Sequence, residues 1–160
     1  MTIQIGERLP NVTLKQITPD GFQDVNIGTI FQGKTIALFA IPGAFTPVCT
    51  TVHLPGFSKK MSEFQAKGVD VYCLSVNDPF VMAAWGKYTQ AHSDLGLLAD
   101  WNAEFTKAMG LNFDGSGAGL GLRSKRYSML VKDGIVKALN IEEKPSECDI
   151  SSADHLLNSL

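Results

Sequence analysis

Long hydrophobic runs are missing from this chain: nowhere do the roughly 18 consecutive apolar residues of a membrane-spanning helix occur, so no membrane role is expected. A surplus of one charge is missing too. Fourteen Lys and Arg stand against 16 Asp and Glu, a formal net charge of −2, and the basic residues are scattered apart from Arg123, Lys125 and Arg126. There is no general attraction for a phosphate backbone, which argues against nucleic acid as a partner. Cysteine is scarce. Cys49, Cys73 and Cys148 are too few and too irregularly spaced for a disulfide framework, and their odd number fits a reducing compartment. The three histidines, His53, His92 and His155, form no cluster with Cys or acidic residues at metal-ligand spacing, so no metal is expected. Met1–Glu7 has neither the basic stretch nor the apolar run of a signal peptide, and a cytoplasmic protein is expected. What is present, 44% hydrophobic and 19% charged residues over 160 positions, suits a single globular domain spanning residues 1–160.

The order of elements follows from pattern and punctuation. Turn signals at Thr18-Pro-Asp-Gly21 and Gly33-Lys34 flank β-prone pieces at 12–17 and 22–27, predicting an N-terminal hairpin. The unbroken apolar run Thr35–Ile41 reads as a central strand buried on both faces, and 69–76 reads the same way. Between them, Val48, Val52, Phe57, Met61 and Phe64 share one helical stripe that ends at Gly68, giving a right-handed βαβ unit. Pro55 lies inside that helix, where it cannot donate to Thr51, so an irregularity is expected between Thr51 and Gly56. Asp78 caps a helix over 79–91, with Phe80, Ala83, Ala84 and Tyr88 at helical spacing. A short strand at 96–99 and a helix over 102–109 follow. Tyr127–Glu142 forms a hairpin about Asp133-Gly134, and Ser151-Ser-Ala-Asp154 opens a last helix as a capping-box-like pattern. This is the order of a thioredoxin-like α/β fold: a central mixed sheet flanked by helices, with an N-terminal hairpin. The glycine-rich stretch Asp114–Gly121 lacks both GxGxxG and the Walker ending, and is read as a flexible surface loop rather than a nucleotide site.

Chemistry concentrates in Pro42-Gly-Ala-Phe-Thr-Pro-Val-Cys49, between a buried strand and the helix that crosses back, where reactive groups gather in α/β folds. With Thr46 as N-cap and Pro47 as the first helical residue, Cys49 falls in the first turn, and the Thr46 hydroxyl is expected to accept from the Cys49 N–H. Unpaired N–H groups and the helix dipole favour thiolate there, and a nearby arginine, Arg123 or Arg126, would add to this. The same donors can hold peroxide oxygens. A dithiol exchanger needs Cys-x-x-Cys, but Thr46 occupies the partner position, which suits oxidation of one sulfur better than disulfide exchange.

Pro42-x-x-x-Thr46-x-x-Cys49 is similar to the PxxxTxxC signature of the peroxiredoxins. The continuation His53-Leu-Pro-Gly-Phe57, with Ser75-Val-Asn-Asp-Pro-Phe80 and Arg123-Ser-Lys-Arg-Tyr-Ser-Met129, resembles the type II subfamily over nearly the whole chain. The resemblance implies reduction of hydrogen peroxide and alkyl hydroperoxides, no metal or organic cofactor, and a homodimer formed near the active-site edge. It makes Cys49 the peroxidatic cysteine, gives Thr46 the positioning of peroxide and Pro42 the shielding of the thiolate, and selects Arg126 as the catalytic arginine. The Gly43 N–H is a further candidate for the substrate pocket.

Cys73, in an apolar strand, reads as a core residue, although type II enzymes from plants carry a second cysteine at a similar place, which leaves it a candidate resolving cysteine after local opening. Cys148, in a polar loop among acidic neighbours, is expected to be exposed and poorly activated; animal members carry a resolving cysteine in a comparable loop at different spacing. An external thiol, glutathione with glutaredoxin or else thioredoxin, is therefore expected as reductant. His53, four residues beyond Cys49, reads as a packing or interface residue. Two other readings stand beside the peroxidase: a general thiol-disulfide oxidoreductase, against which Thr46 argues, and a peroxide-sensing switch or holdase that does not turn over.

Overall fold

The computed structural model describes all 160 residues, Met1–Leu160. Strands β1 (Thr13–Thr18) and β2 (Gly21–Asn26) pair antiparallel along their full length, the expected hairpin. Helix α1 (Ile27–Ile30), capped by the Asn26 side chain on the Thr29 N–H, leads into β3 (Thr35–Ile41). A π-helical turn at Cys49–His53 runs on into α2 (Leu54–Lys59), and α3 (Met61–Ala66) follows a break at Lys60. Next come β4 (Val69–Ser75), α4 (Pro79–Tyr88), β5 (Gly96–Ala99) and α5 (Glu104–Ala108). A small hairpin of β6 (Asn112–Asp114) and β7 (Leu122–Ser124) precedes β8 (Tyr127–Lys132), β9 (Ile135–Ile141) and α6 (Ala153–Asn158).

Seven strands form one mixed sheet in the order β2-β1-β5-β4-β3-β8-β9. β3, β4 and β5 are parallel, whereas β8 lies antiparallel to β3 and β9 antiparallel to β8. The N-terminal hairpin joins through a single antiparallel rung, Lys15 opposite Ala99. Both faces are covered, and β3 shows why its sequence is continuously apolar. Ile36, Leu38 and Ala40 point into a core layer with Phe31, Leu74 and Met129, while Ala37, Phe39 and Ile41 point into the other with Phe57, Cys73 and Trp85. Each large side chain buried this way is worth about 1.5–3 kcal/mol, so this strand is anchored from both sides. Its C-terminal end is the rigid floor of the site.

Several local expectations are corrected. The crossover helix is irregular where Pro55 falls, but by widening and not by breaking: Leu54 N–H donates to the Cys49 carbonyl, five residues back. A wider turn keeps the proline ring off the Thr51 carbonyl while the chain goes on winding. Val52 is not on the buried stripe; it is 49% exposed, and Cys49, His53, Leu54, Phe57, Met61 and Phe64 face inward instead. On α4 the periodic Phe80 and Tyr88 lie on the outer face, 67% and 70% exposed, while Met82 and Trp85 are buried. α5 starts later than its pattern suggests because Ala103 has φ +60°; the buried Asp100 carboxylate receives the N–H groups of Phe105 and Thr106 at 3.2 and 2.9 Å. The last helix is capped by Ser152, not Ser151, through the His155 N–H. The glycine-rich stretch is no featureless loop but the tip of the β6–β7 hairpin, with a 3₁₀ turn at Ser116–Ala118.

The β8–β9 turn takes the form its residues demand, with Asp133 at φ +49° and Gly134 at φ +79°. A Cβ at Gly134 would also lie 2.8 Å from Arg8 Nη1. Gly134→Ala is expected to cost about 1 kcal/mol or more, lowering the thermal midpoint by roughly 2–4 °C, as measured by calorimetry against the parent protein.

Candidate active site

Two loops and one strand start converge where β3 ends. The Pro42–Pro47 loop turns sharply at Phe45, which holds φ +66°, and places Cys49 at the head of the crossover helix. The loop is gripped from two sides. Asn77, from the segment after β4, accepts the Ala44 N–H at 3.0 Å and the Ser75 hydroxyl at 2.6 Å. Arg123 donates to the Pro42 carbonyl at 3.2 Å and to the Leu120 carbonyl at 3.0 Å. Its Nη1 lies 2.6 Å from where a Cβ of Gly43 would be, so residue 43 has no room for a side chain while Arg123 keeps that place.

Arg126 immediately precedes β8 and is only 2% exposed. Its Nη2 donates to Cys49 Sγ at 3.1 Å. Nε and Nη2 also donate to the Pro145 carbonyl, at 3.2 and 2.9 Å, and Nη1 donates to His53 Nδ1 at 3.0 Å. No carboxylate lies within ion-pair distance of this guanidinium. A buried cation without an anionic partner is costly, and of the groups this one touches only the Cys49 sulfur can become an anion. The two arginines left open by the sequence are thus separated: Arg126 meets the sulfur, Arg123 holds the loop.

Thr46 departs from its expected geometry. Its hydroxyl donates to the Gly43 carbonyl at 2.6 Å and does not accept from the Cys49 N–H. With its proton so engaged, its lone pairs are left to accept, which suits the O–H of a hydroperoxide. A cleft of about 400 Å³ opens over Pro42, Thr46 and Arg126, with Phe113, Leu120 and Pro145 among its mostly apolar walls. The glycine-rich β6–β7 tip forms one side, a role that composition alone did not reveal. Gly43 is buried, does not line the cleft, and contributes its carbonyl to Thr46. Cys49 has no exposed surface; an oxidant entering the cleft meets Pro42, Thr46 and Arg126 first.

The remaining thiols stand apart from the cleft. Cys73 is buried in β4, and burial pushes its thiol well above its ordinary value. Cys148 is half-buried, not exposed as expected, beside the Ser151 hydroxyl at 3.9 Å. Its thiol is pushed up chiefly by burial, with Glu142 a lesser contributor, so the acidic neighbourhood read from the sequence is the minor cause. All three cysteines are free.

His53 is the residue the sequence undervalued. Buried, it packs at a tilt against Phe39 and Phe57, and its Nε2 lies 2.9 Å from the Ser151 carbonyl. Burial, then the adjacent Arg126 charge, lower its pKa from 6.5 to about 3. The unfolded chain therefore takes up a proton near pH 6.5 that the folded protein refuses until about pH 3. Over that window stability falls as pH falls, by up to about 1.4 kcal/mol per unit for this group. Glu142, whose carboxyl lies below its usual 4.5, adds loss of the same sign only under that value. Unfolding free energies measured in urea between pH 7 and 5 should decline more steeply for the parent protein than for His53→Asn; parallel curves would contradict a buried neutral imidazole.

Residues 4–157 match the Redoxin family model. Peroxiredoxin-2E-2, chloroplastic, of Oryza sativa subsp. japonica is 46% identical, the match covering 99% of this chain and 73% of that protein. Peroxiredoxin-2B of Arabidopsis thaliana is 41% identical over 99% of this chain and 98% of its own length. Among solved structures, reduced Prx3 of Vibrio vulnificus in complex with H₂O₂ superposes with a TM-score of 0.93 at 45% identity, covering 99% of both chains. A strand-end cysteine under a buried arginine, on a thioredoxin-like sheet and with these relatives along its whole length, makes the chain a member of the peroxiredoxins, the thiol-dependent peroxidases of the redoxin family.

Proposed function

We propose that Cys49 is the peroxidatic residue and that its thiolate attacks the terminal oxygen of hydrogen peroxide or an alkyl hydroperoxide. The observation that carries this reading is the 3.1 Å contact from Arg126 Nη2 to Cys49 Sγ beneath the cleft bounded by Pro42 and Thr46. In the attack the S–O bond forms as the O–O bond breaks. The departing oxygen takes a proton and leaves as water or alcohol, and Cys49 becomes a sulfenic acid. Arg126 stabilises the charge moving from sulfur to oxygen, Thr46 accepts from the peroxide O–H, and Pro42 keeps water from the sulfur. The apolar walls at Phe113 and Leu120 suit the organic part of an alkyl hydroperoxide.

Reduction falls to an external thiol. One thiol condenses with the sulfenic acid, releasing water and forming a mixed disulfide; a second displaces it and restores Cys49. This reading is supported by the position of the other two cysteines, one buried in the sheet and one half-buried and raised in pKa, neither lining the cleft. Glutathione with glutaredoxin, or thioredoxin, is the proposed donor. Peroxide consumption should be lost in Cys49→Ser, falling by more than about a thousandfold, and retained within a few fold in Cys73→Ser and Cys148→Ser with either donor. Equal activity in Cys49→Ser would remove the proposed nucleophile. Loss in Cys148→Ser with every donor would replace the external thiol with an internal one.

The working unit is proposed to be a homodimer. Phe22 stacks on Phe80, and Phe45 packs against Tyr88, so α4 carries aromatic rings at both ends, all at least half exposed. The strained loop residue Phe45 makes this apolar face continuous with the site. Phe80→Glu and Tyr88→Glu are expected to convert a dimer to monomers by light scattering without changing the far-ultraviolet circular dichroism; a dimer that persists in both variants places the interface elsewhere.

A further inference from the structure

Arg126 has no carboxylate within ion-pair distance, the Glu142 carboxylate acting on it only from further off, yet so buried a guanidinium cannot be left to choose its own direction. Three of its contacts fix it: the Pro145 carbonyl on Nε and Nη2, His53 Nδ1 on Nη1 and Cys49 Sγ on Nη2. A carbonyl and a neutral imidazole accept hydrogen bonds without cancelling charge. A carboxylate in either place would orient the group equally well and would neutralise it.

The imidazole is itself fixed. A guanidinium only donates, so Nδ1 must be the accepting nitrogen; the Ser151 carbonyl only accepts, so Nε2 must carry the proton. The Ser151 carbonyl is held because Ser151 gives its N–H and its hydroxyl to Glu142 Oε2, at 2.8 and 2.6 Å. The same oxygen receives the Asp149 N–H at 2.7 Å. Glu142 in turn donates its backbone N–H to the Arg126 carbonyl at 3.0 Å. The C-terminal segment 142–151 is thereby tied to the residue it orients, and the one carboxylate in the assembly is turned toward backbone and hydroxyl donors. Other ionisable groups around His53 lie on its outer side, where Cys148, Lys59, Lys60 and Asp154 line a separate pocket with it.

We infer that His53 is a positioning residue for the peroxidase reaction: held as the neutral Nε2–H tautomer by Ser151 and Glu142, it aims Arg126 at the Cys49 sulfur while leaving the full guanidinium charge available to it. His53 transfers no proton and touches no substrate. The inference rests on Cys49 being the attacking thiolate.

Asn and Asp test it as a pair, since their Oδ1 falls close to the place of Nδ1 and the two differ in charge. Second-order rate constants for sulfur oxidation by hydrogen peroxide would be measured by stopped-flow from pH 4 to 9 for the parent protein, His53→Asn, His53→Asp and His53→Leu. Thermal melts on each would check folding, and Cys49→Ser would serve as control. Asn should stay within about threefold of the parent, whereas Leu, which offers no acceptor, should lose roughly ten- to a hundredfold through misplacement of the guanidinium. Asp should move the acid limb of the pH–rate profile upward by about one unit or more, because its carboxylate cancels charge that the sulfur would otherwise use. Folded Asp and Leu variants with the rate and acid limb of the parent overturn the inference, provided Cys49→Ser is inactive; an active Cys49→Ser overturns the assignment of the nucleophile instead. Independently of any variant, ¹⁵N spectra of the parent protein should show His53 protonated at Nε2 and neutral from pH 5 to 9. A proton on Nδ1 would exclude the contact on which the inference stands.

Discussion

Everything at this site turns on a buried guanidinium that forms no ion pair with an acidic side chain. In water an arginine beside a thiol has little influence, because solvent screens both. Under the Pro42–Pro47 loop the screening is weaker, and the proposed attack uses the pair with the negative charge on sulfur. Holding a cation there without its usual counter-ion is expensive, and much of the surrounding structure bears that cost: the double contact to Pro145, the packed imidazole and the clasp of segment 142–151 by Glu142.

The fold supplies the rigidity. β3 is buried on both faces and paired on both edges, parallel to β4 and antiparallel to β8. Since Cys49 follows the end of β3 and Arg126 precedes the start of β8, the antiparallel pairing brings sulfur and arginine together at one end of the sheet although 77 residues separate them. The π-helical turn then sets His53 against the guanidinium from below. The loop between carries strain at the site itself, where Phe45 occupies a region that few side chains tolerate and Asn77 and Arg123 hold the backbone to it.

Much of this was legible in the residues. Strands β3 and β4 and the Asp133-Gly134 turn follow from apolar runs and turn chemistry, because burial on both faces and a double positive φ leave few other readings. The site could be found because Pro47, Thr46 and Cys49 stand at helix-start spacing, but composition could not choose between Arg123, which lies in β7 of the small hairpin, and Arg126, which precedes β8 of the main sheet. His53 was underestimated for a physical reason. A lone histidine shows its value only when its two nitrogens find opposite partners, and one of those, the Ser151 carbonyl, lies 98 residues away. Glu142 carries no local pattern, and the pattern at Ser151 pointed to a helix cap that Ser152 supplies instead. The glycine-rich tip misled in the other direction, since residues that permit flexibility here build the wall of the cleft.

The single rung between β1 and β5 has a wider consequence. Beyond Lys15 and Ala99 the two strands part, and a cavity of about 580 Å³ opens between them, at the end of the sheet opposite the sulfur. The N-terminal hairpin is therefore joined to the sheet by one backbone rung and otherwise by side chains: Leu14 and Val25 reach into the core layer of Ile36 and Leu38, and β1 packs against α4. Its attachment thus depends on apolar burial more than on backbone pairing, whereas the five strands behind the sulfur are joined to one another by extended ladders.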